Sequence, residues 1–174
     1  GLDLAIDAAR LAGLPLRIAG PISNPGYFEQ FIAPRLDQDV QYMGHLPHRE
    51  LARLVGGALV ALCTPRWEEP YGLVVAEALA CGTPVAAFRR GGVPALLSKN
   101  CGVLAEPDNV ASLASAALAA SMLSRQACRA HAERYCDAQR MVDQYEGVYH
   151  DIAAAQACGG PKQAMAAPLV ASVA

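Results

Sequence analysis

Short apolar runs alternate along the chain with stretches in which apolar residues recur at helical spacing, and the alternation starts at the first residue. Leu2, Ile6, Ala9 and Leu11 fall on one helical stripe with charges between them, which predicts a helix over 1–13 that Gly13 ends. Residues 14–20 read as a strand entering a Gly-Pro turn, 27–36 as helical, 40–44 as a strand, and the stretch after Pro47 through Val55 as a helix with proline near its first turn. Residues 58–63 are apolar without a break, as expected of a strand buried on both faces of a parallel sheet. A helix over 72–81, a strand over 84–88, a short helix over 93–97 and a short strand over 102–104 follow.

Strands of this length separated by helices predict parallel βαβ units. The fold class is therefore α/β: a Rossmann-like open parallel sheet with helices on both faces. From residue 107 onward the pattern is helical. Asp108 or Asn109 caps an alanine-rich helix reaching Ser124, and further helices run over 125–155. Residues 156–174 end small and aperiodic, and are expected to form a flexible tail after a domain over 1–155.

Composition narrows the possibilities. Hydrophobic residues make up 53% of the 174, yet no uncharged run approaches the ~20 residues that span a bilayer. A soluble domain is expected. The formal net charge of −2 with scattered basic residues gives no footprint for nucleic acid or an anionic membrane surface. Cys63, Cys81, Cys101, Cys128, Cys136 and Cys158 show no CxxC pair and no histidine at metal-ligand spacing, so no metal site is expected. Several lie in apolar stretches, as reduced thiols of a cytoplasmic protein do. With no initiator Met and no signal pattern, the sequence is expected to begin within a longer protein.

In open α/β sheets ligands bind beyond the carboxyl ends of the strands. The loop after residues 58–63 reads Thr64-Pro65-Arg66-Trp67-Glu68-Glu69-Pro70-Tyr71-Gly72, with the only Trp, an Arg and two adjacent carboxylates before a helix. The first N–H groups of that helix have no internal partner and suit an anion, while neither a P-loop nor GxGxxG is present. Glu77, flanked by Val74, Val75, Ala78 and Leu79, is expected to need a partner. Together, Glu69 and Glu77 place carboxylates eight residues apart about the helix mouth. Carboxylates accept from sugar hydroxyls, and the helix N-terminus suits the diphosphate of a sugar nucleotide. On the residues alone the alternative stands that Glu69 is a helix-dipole acid, Glu77 pairs with an arginine and Trp67 is packing.

The run from Glu69 to Ala86 resembles the signature of group 1 glycosyltransferases, the retaining, GT-B-type enzymes also called family 4. The similarity extends to Gly20-Pro21, Tyr42-Met43-Gly44-His45-Leu46 and Gly91-Gly92-Val93-Pro94, and covers roughly residues 1–149. It implies the donor-binding C-terminal half of a GT-B enzyme. Glu69 would contact the donor sugar and is the residue it marks as catalytic. Glu77 would hold the ribose, Tyr71, Gly72, Leu73 and Val74 would meet phosphate and sugar, His45 and Leu46 the base, and Gly20 the diphosphate.

The implied activity is transfer of a hexosyl unit from a nucleoside-diphosphate sugar, with no cofactor, to a glycan or lipid-linked saccharide acceptor. The acceptor would bind an N-terminal domain absent from this chain, as is the segment that supplies an Arg and a Lys to the diphosphate. The isolated chain would then catalyse nothing, and a membrane-peripheral parent is compatible with the resemblance. One departure is Ala95, where the family often has an acid. A GT-B sugar-nucleotide epimerase half and a non-catalytic nucleotide-sugar module are the alternatives. Arg66, Arg89 and Arg90 could supply charge near phosphate. His48, His131 and His150 read as surface residues, and Glu133 with Asp137 as a solvated face.

Overall fold

The computed structural model describes residues 1–157, so the tail expected over 156–174 lies almost wholly outside the described residues. Helix α1, Leu2–Ala12, buries Ala5, Ile6, Ala8 and Ala9 and ends on Gly13, whose φ of 68° is the left-handed conformation glycine adopts readily. Strand β1, Leu16–Ile18, pairs in parallel with β2, Val40–Tyr42, in the register Leu16 to Val40. Between them lies a short helix α2, Pro25–Tyr27, capped by the Asn24 side chain, which accepts from the Tyr27 N–H at 3.0 Å.

The helix expected over 27–36 is broken there. A π turn spans Phe28–Ile32 and a 3-10 turn Ala33–Arg35. Pro34 has no N–H to donate, so the α ladder cannot run through it. Helix α3, His48–Gly57, then leads to β3, Ala61–Cys63, shorter than the strand expected over 58–63.

Helix α4, Leu73–Ala80, leads to β4, Val85–Phe88, buried at all four positions. Helix α5, Val93–Leu96, and β5, Gly102–Ala105, complete a parallel sheet in the order β3-β4-β5. Asn109 caps α6, Val110–Ala120, by accepting from the Ser112 N–H at 2.9 Å. That helix stops short of Ser124, because the Ser124 hydroxyl instead accepts from Ala127 N–H and caps α7, Arg125–Tyr135. Helix α8, Ala138–Ala157, closes the described chain.

Helices cover both faces. On one, α1 and α6 pack over Ala86 and Phe88; on the other, α4 and α7 pack over Val85 and Ala87. A third cluster joins Ile6 of α1 to Ile18, Ile32 and Val40, so α1 lies across both sheets. His131 corrects its surface reading: it is half-buried, with a ring nitrogen 3.0 Å from the Leu96 carbonyl, tying α7 to α5. Glu133 and Asp137 are exposed as expected but do not share a helix; Glu133 pairs with Arg129, and Asp137 accepts from the Arg140 N–H.

The start of α1 is tied to two loops. Asp3 accepts from the Tyr27 hydroxyl at 2.7 Å and pairs with Arg66 at 2.9 Å. Burial works against its charge, but the Tyr27 hydroxyl and the Arg66 guanidinium outweigh it and hold the carboxyl below the usual range. A depressed folded value means stability that is present above the unfolded value and lost as pH falls. Asp3→Asn is therefore expected to lower the melting temperature at neutral pH, with a deficit that fades below about pH 4. A deficit unchanged by pH would contradict this.

Candidate functional site

Because β3 and β4 run in parallel, the loops that follow them share the carboxyl edge of the sheet. The loop after β3 is fastened there by charge. Arg66 pairs with Asp3 and lies 3.9 Å from Asp108; Arg90 pairs with Asp108 at 2.8 Å, lies 3.9 Å from Glu68 and donates to the Pro65 carbonyl. Two arginines thus face three carboxylates. They are committed to holding loops together and leave little positive charge for a phosphate. Asp108, with φ 58°, adopts the left-handed conformation that turns it towards both. Arg89 is exposed, and no ion pair of it occurs among the described residues.

At the end of this loop Gly72 has φ 95°, a conformation strained for any residue with a Cβ. The Glu69 carboxylate turns back to accept from the Gly72 N–H at 3.2 Å. Val75 and Ala76 both donate to the Gly72 carbonyl, at 2.9 and 3.3 Å. The N–H groups of Leu73 and Val74 are left without a partner among the described residues, at the positive end of α4. Their side chains are bare as well, 68% and 62% exposed.

Two further glycines fix where this turn sits. The Gly92 N–H donates to the Glu69 carbonyl at 2.6 Å, and the Gly91 N–H to the Glu68 carboxylate at 2.7 Å. A Cβ at Gly91 would overlap the backbone of Glu69, and one at Gly92 the carbonyl of Pro70. The turn after β4 therefore abuts the loop after β3 backbone to backbone.

Glu77 does not match the expectation of a paired, buried carboxylate. It is exposed on α4 and has no side-chain partner among the described residues, because Leu73 and Val74 on the same side of the helix are exposed too. It borders a cleft shared with Cys63 and Thr64. Glu69 reaches the same neighbourhood: burial first, and the Glu69 charge second, push the Cys63 thiol up to about 11. Cys63 is thus a neutral thiol, unsuited to nucleophilic work. Among the described residues neither glutamate pairs with an arginine. Tyr71 turns its hydroxyl to the Cys136 thiol, and burial raises its pKa. Trp67 stands 59% exposed.

Gly20, with φ 145°, follows β1; its N–H donates to the Gly44 carbonyl at 2.9 Å, and its own carbonyl accepts from the Tyr42 hydroxyl at 2.7 Å. Gly44 has φ 74°, His45 is exposed and Leu46 half-buried. The structure therefore gathers Glu69, Tyr71, Gly72, Leu73, Val74 and Glu77 into one loop and helix, with Gly20, His45 and Leu46 on turns after the other sheet. Sequence reasoning missed the network of Asp3, Arg66, Arg90 and Asp108. Its pairs reach as far as 63 positions, from Asp3 to Arg66, and nothing local marks them. Among the described residues no cluster of His, Cys, Asp or Glu could hold a metal ion.

A family model described as glycosyl transferases group 1 matches residues 1–121. Glycogen synthase of Mycobacterium tuberculosis is 37% identical over 106 residues, which is 60% of this chain and 25% of that protein. D-inositol 3-phosphate glycosyltransferase of Mycobacterium bovis is 38% identical over 94 residues, 50% of this chain and 19% of that protein. The chain thus spans a quarter or less of these relatives. Among solved structures, sucrose-phosphate synthase from Thermosynechococcus elongatus superposes with a TM-score of 0.71 at 26% identity, over 89% of this chain and 43% of that one. Anabaena Alr3699/HepE in complex with UDP and glucose gives 0.71 at 23% identity, over 87% and 45%, a likeness of fold.

The close approach at Gly92 makes a direct prediction. Gly92→Ala is expected to cost about 1–3 kcal/mol of stability, since backbone must move to admit the Cβ. Gly57→Ala, whose Cβ meets nothing within 4 Å, is expected to be neutral or mildly stabilising. Equal urea midpoints for the two variants would show that the loop does not depend on this approach.

Proposed function

The chain belongs to the group 1 glycosyl transferases, and from that premise we propose that residues 1–155 are the donor-binding domain of a retaining enzyme. It transfers a hexosyl unit from a nucleoside-diphosphate sugar to a glycan or lipid-linked saccharide acceptor. The observation that carries the reading is the first turn of α4: the free N–H groups of Leu73 and Val74 lie between Glu69, held against Gly72, and Glu77, exposed along the same helix. A diphosphate accepts from such N–H groups, and the carboxylates accept from the hydroxyls of the sugars on either side.

In this reading the diphosphate sits on Leu73 and Val74, with Gly20 closing from the β1 side. Glu69 orients the hexose, and its bond to Gly72 fixes the carboxylate before donor arrives. Glu77 holds the ribose, and the turn at His45 and Leu46 receives the base. Tyr71 contributes its position beside Gly72, because its hydroxyl is engaged with Cys136. The relatives named as a glycogen synthase and an inositol phosphate glycosyltransferase support sugar transfer. The Anabaena neighbour, solved with UDP and glucose, lends the fold a nucleotide precedent.

Retention follows from front-face attack, with the departing diphosphate helping to take the acceptor proton while the protein stabilises its charge. No cofactor or metal is required. The acceptor belongs to an N-terminal domain of the parent, which works in the cytoplasm, alone or at a membrane surface. No helix among the described residues is long and apolar enough to cross a membrane.

Two variants test the roles. By titration calorimetry with the nucleoside diphosphate that most raises the melting temperature, Glu77→Ala is expected to weaken binding by about tenfold or more, as loss of a charged hydrogen-bond acceptor does. Glu69→Ala should weaken the matching nucleotide sugar more than the bare nucleotide. Unchanged affinities for both variants would remove both roles. The isolated chain is expected to show no transferase turnover; turnover at the rate of a full-length enzyme would contradict its standing as a half.

A further inference from the structure

The turn after β5 holds the one residue other than glycine with a positive φ among the described residues. Asp108 sits there at 58°, a left-handed conformation that is costly for a residue with a Cβ and persists where its surroundings impose it. The cap of α6 does not need it, because the neighbouring Asn109 side chain makes that bond. Glycine would fill φ 58° without strain. What an aspartate adds is the carboxylate, and its partners lie in the loops after β3 and β4: Arg90 Nη2 donates to Oδ2 at 2.8 Å, and Arg66 Nε lies 3.9 Å from Oδ1.

Arg90 is unlike its neighbour. Arg89 is exposed, whereas the Arg90 side chain is 15% exposed and all three of its guanidinium nitrogens face protein. Besides the bond to Asp108, Nη1 donates to the Pro65 carbonyl at 3.3 Å, and Nε lies 3.9 Å from Glu68 Oε1. One planar guanidinium thus joins the loops that leave β3, β4 and β5. Its fork of donors holds them at set angles, which the point charge of a lysine ammonium does not.

What this strap holds is Glu68. Its second carboxylate oxygen, Oε2, accepts from the Gly91 N–H at 2.7 Å. The Glu68 side chain is 79% exposed, and an ion pair so open to water adds little stability. Its effect is one of place. Glu68 precedes Glu69, so fastening it to the turn after β4 fixes the direction in which Glu69 leaves the backbone to reach the Gly72 N–H.

We propose that Arg90 and Asp108 are positioning residues for Glu69: acting through Glu68, they set the carboxylate that meets the donor hexose, and so govern the preference for a nucleotide sugar over the bare nucleotide. This rests on the donor-sugar role given to Glu69 above. Neither residue touches the donor, since the nitrogens of Arg90 are turned to protein and its charge is met by Asp108. The N–H groups of Leu73 and Val74 and the Glu77 carboxylate belong to α4 itself, and the Gly92 N–H holds the Glu69 carbonyl independently of Arg90. Loosening the strap therefore misplaces the Glu69 side chain and leaves the diphosphate and ribose contacts standing.

Titration calorimetry with matched probes tests it: UDP with UDP-glucose, ADP with ADP-glucose and GDP with GDP-glucose, carried forward with the pair that binds. The readout is the ratio of the two affinities, in which a change in net charge largely cancels because both probes carry the diphosphate. Asp108→Gly, which removes the carboxylate and eases the turn, and Arg90→Lys are each expected to lower the preference for the nucleotide sugar about three- to tenfold, as a displaced contact group does. The bare nucleotide should change by less than about twofold, and Asp108→Asn, which keeps an acceptor oxygen and tolerates the left-handed φ, should fall between. In a Glu69→Ala background Asp108→Gly is expected to shift the ratio by less than about twofold, because the group it positions is gone. A residue that merely supports the fold would give the same loss in both backgrounds, and that result would overturn the proposal, as would equal losses for nucleotide and nucleotide sugar. If Glu69→Ala lowers the ratio while Asp108→Gly and Arg90→Lys do not, this inference falls alone. If Glu69→Ala leaves the ratio unchanged, or no pair binds at millimolar concentration, the donor reading falls and takes this inference with it. Should Arg90→Lys fail to fold by its melting curve, Asp108→Gly decides.

Discussion

The loop that leads into α4 depends on backbone touching backbone. Gly91 and Gly92, in the turn after β4, lie so close to Glu69 and Pro70 that neither position has room for a Cβ. The contact is locked by hydrogen bonds from Gly92 to the Glu69 carbonyl and from Gly91 to the Glu68 carboxylate. A loop carrying two adjacent carboxylates, two prolines and the only tryptophan would otherwise be free to move. Pinned from beneath, it delivers Gly72 at φ 95° and starts α4 at one fixed place.

Everything proposed for the site follows from that start. Among the described residues helix α4 leaves two N–H groups unpaired, and its first turn is flanked by one carboxylate bound to the helix and another exposed further along it. The charged network of Asp3, Arg66, Arg90 and Asp108 works on the same loop from the side. Its arginines are neutralised locally, so the attraction for an anion has to come from backbone dipoles. That division suits a neutral, selective cradle better than a broad basic patch.

Much of the fold was legible because local chemistry and tertiary role agree. Gly13 ends α1, Asn109 caps α6 and the apolar run at Val85 to Phe88 is a fully buried strand, each as its residues demand. Gly72 before an apolar helix marked the start of α4, where the structure leaves the Leu73 and Val74 N–H groups without a partner among the described residues. What was not legible is set by distant partners. Glu77 reads as buried from its neighbours, but the side of α4 that carries it, Leu73 and Val74 is open. His131 reads as surface until α5 is packed beneath it. The helix near Phe28 fails at Pro34, whose missing N–H breaks the α ladder. At β3 the sequence describes a strand covered on both faces, while among the described residues it stands at an edge of its sheet.

The central claim is that an anion binds the first turn of α4. Amide NMR shifts of the 15N-labelled chain during titration with a nucleoside diphosphate test it most directly. The account predicts that the Leu73 and Val74 resonances move furthest and saturate together, with Gly72 following. Movement centred instead on Arg66, Arg89 and Arg90, with Leu73 and Val74 stationary, would contradict it.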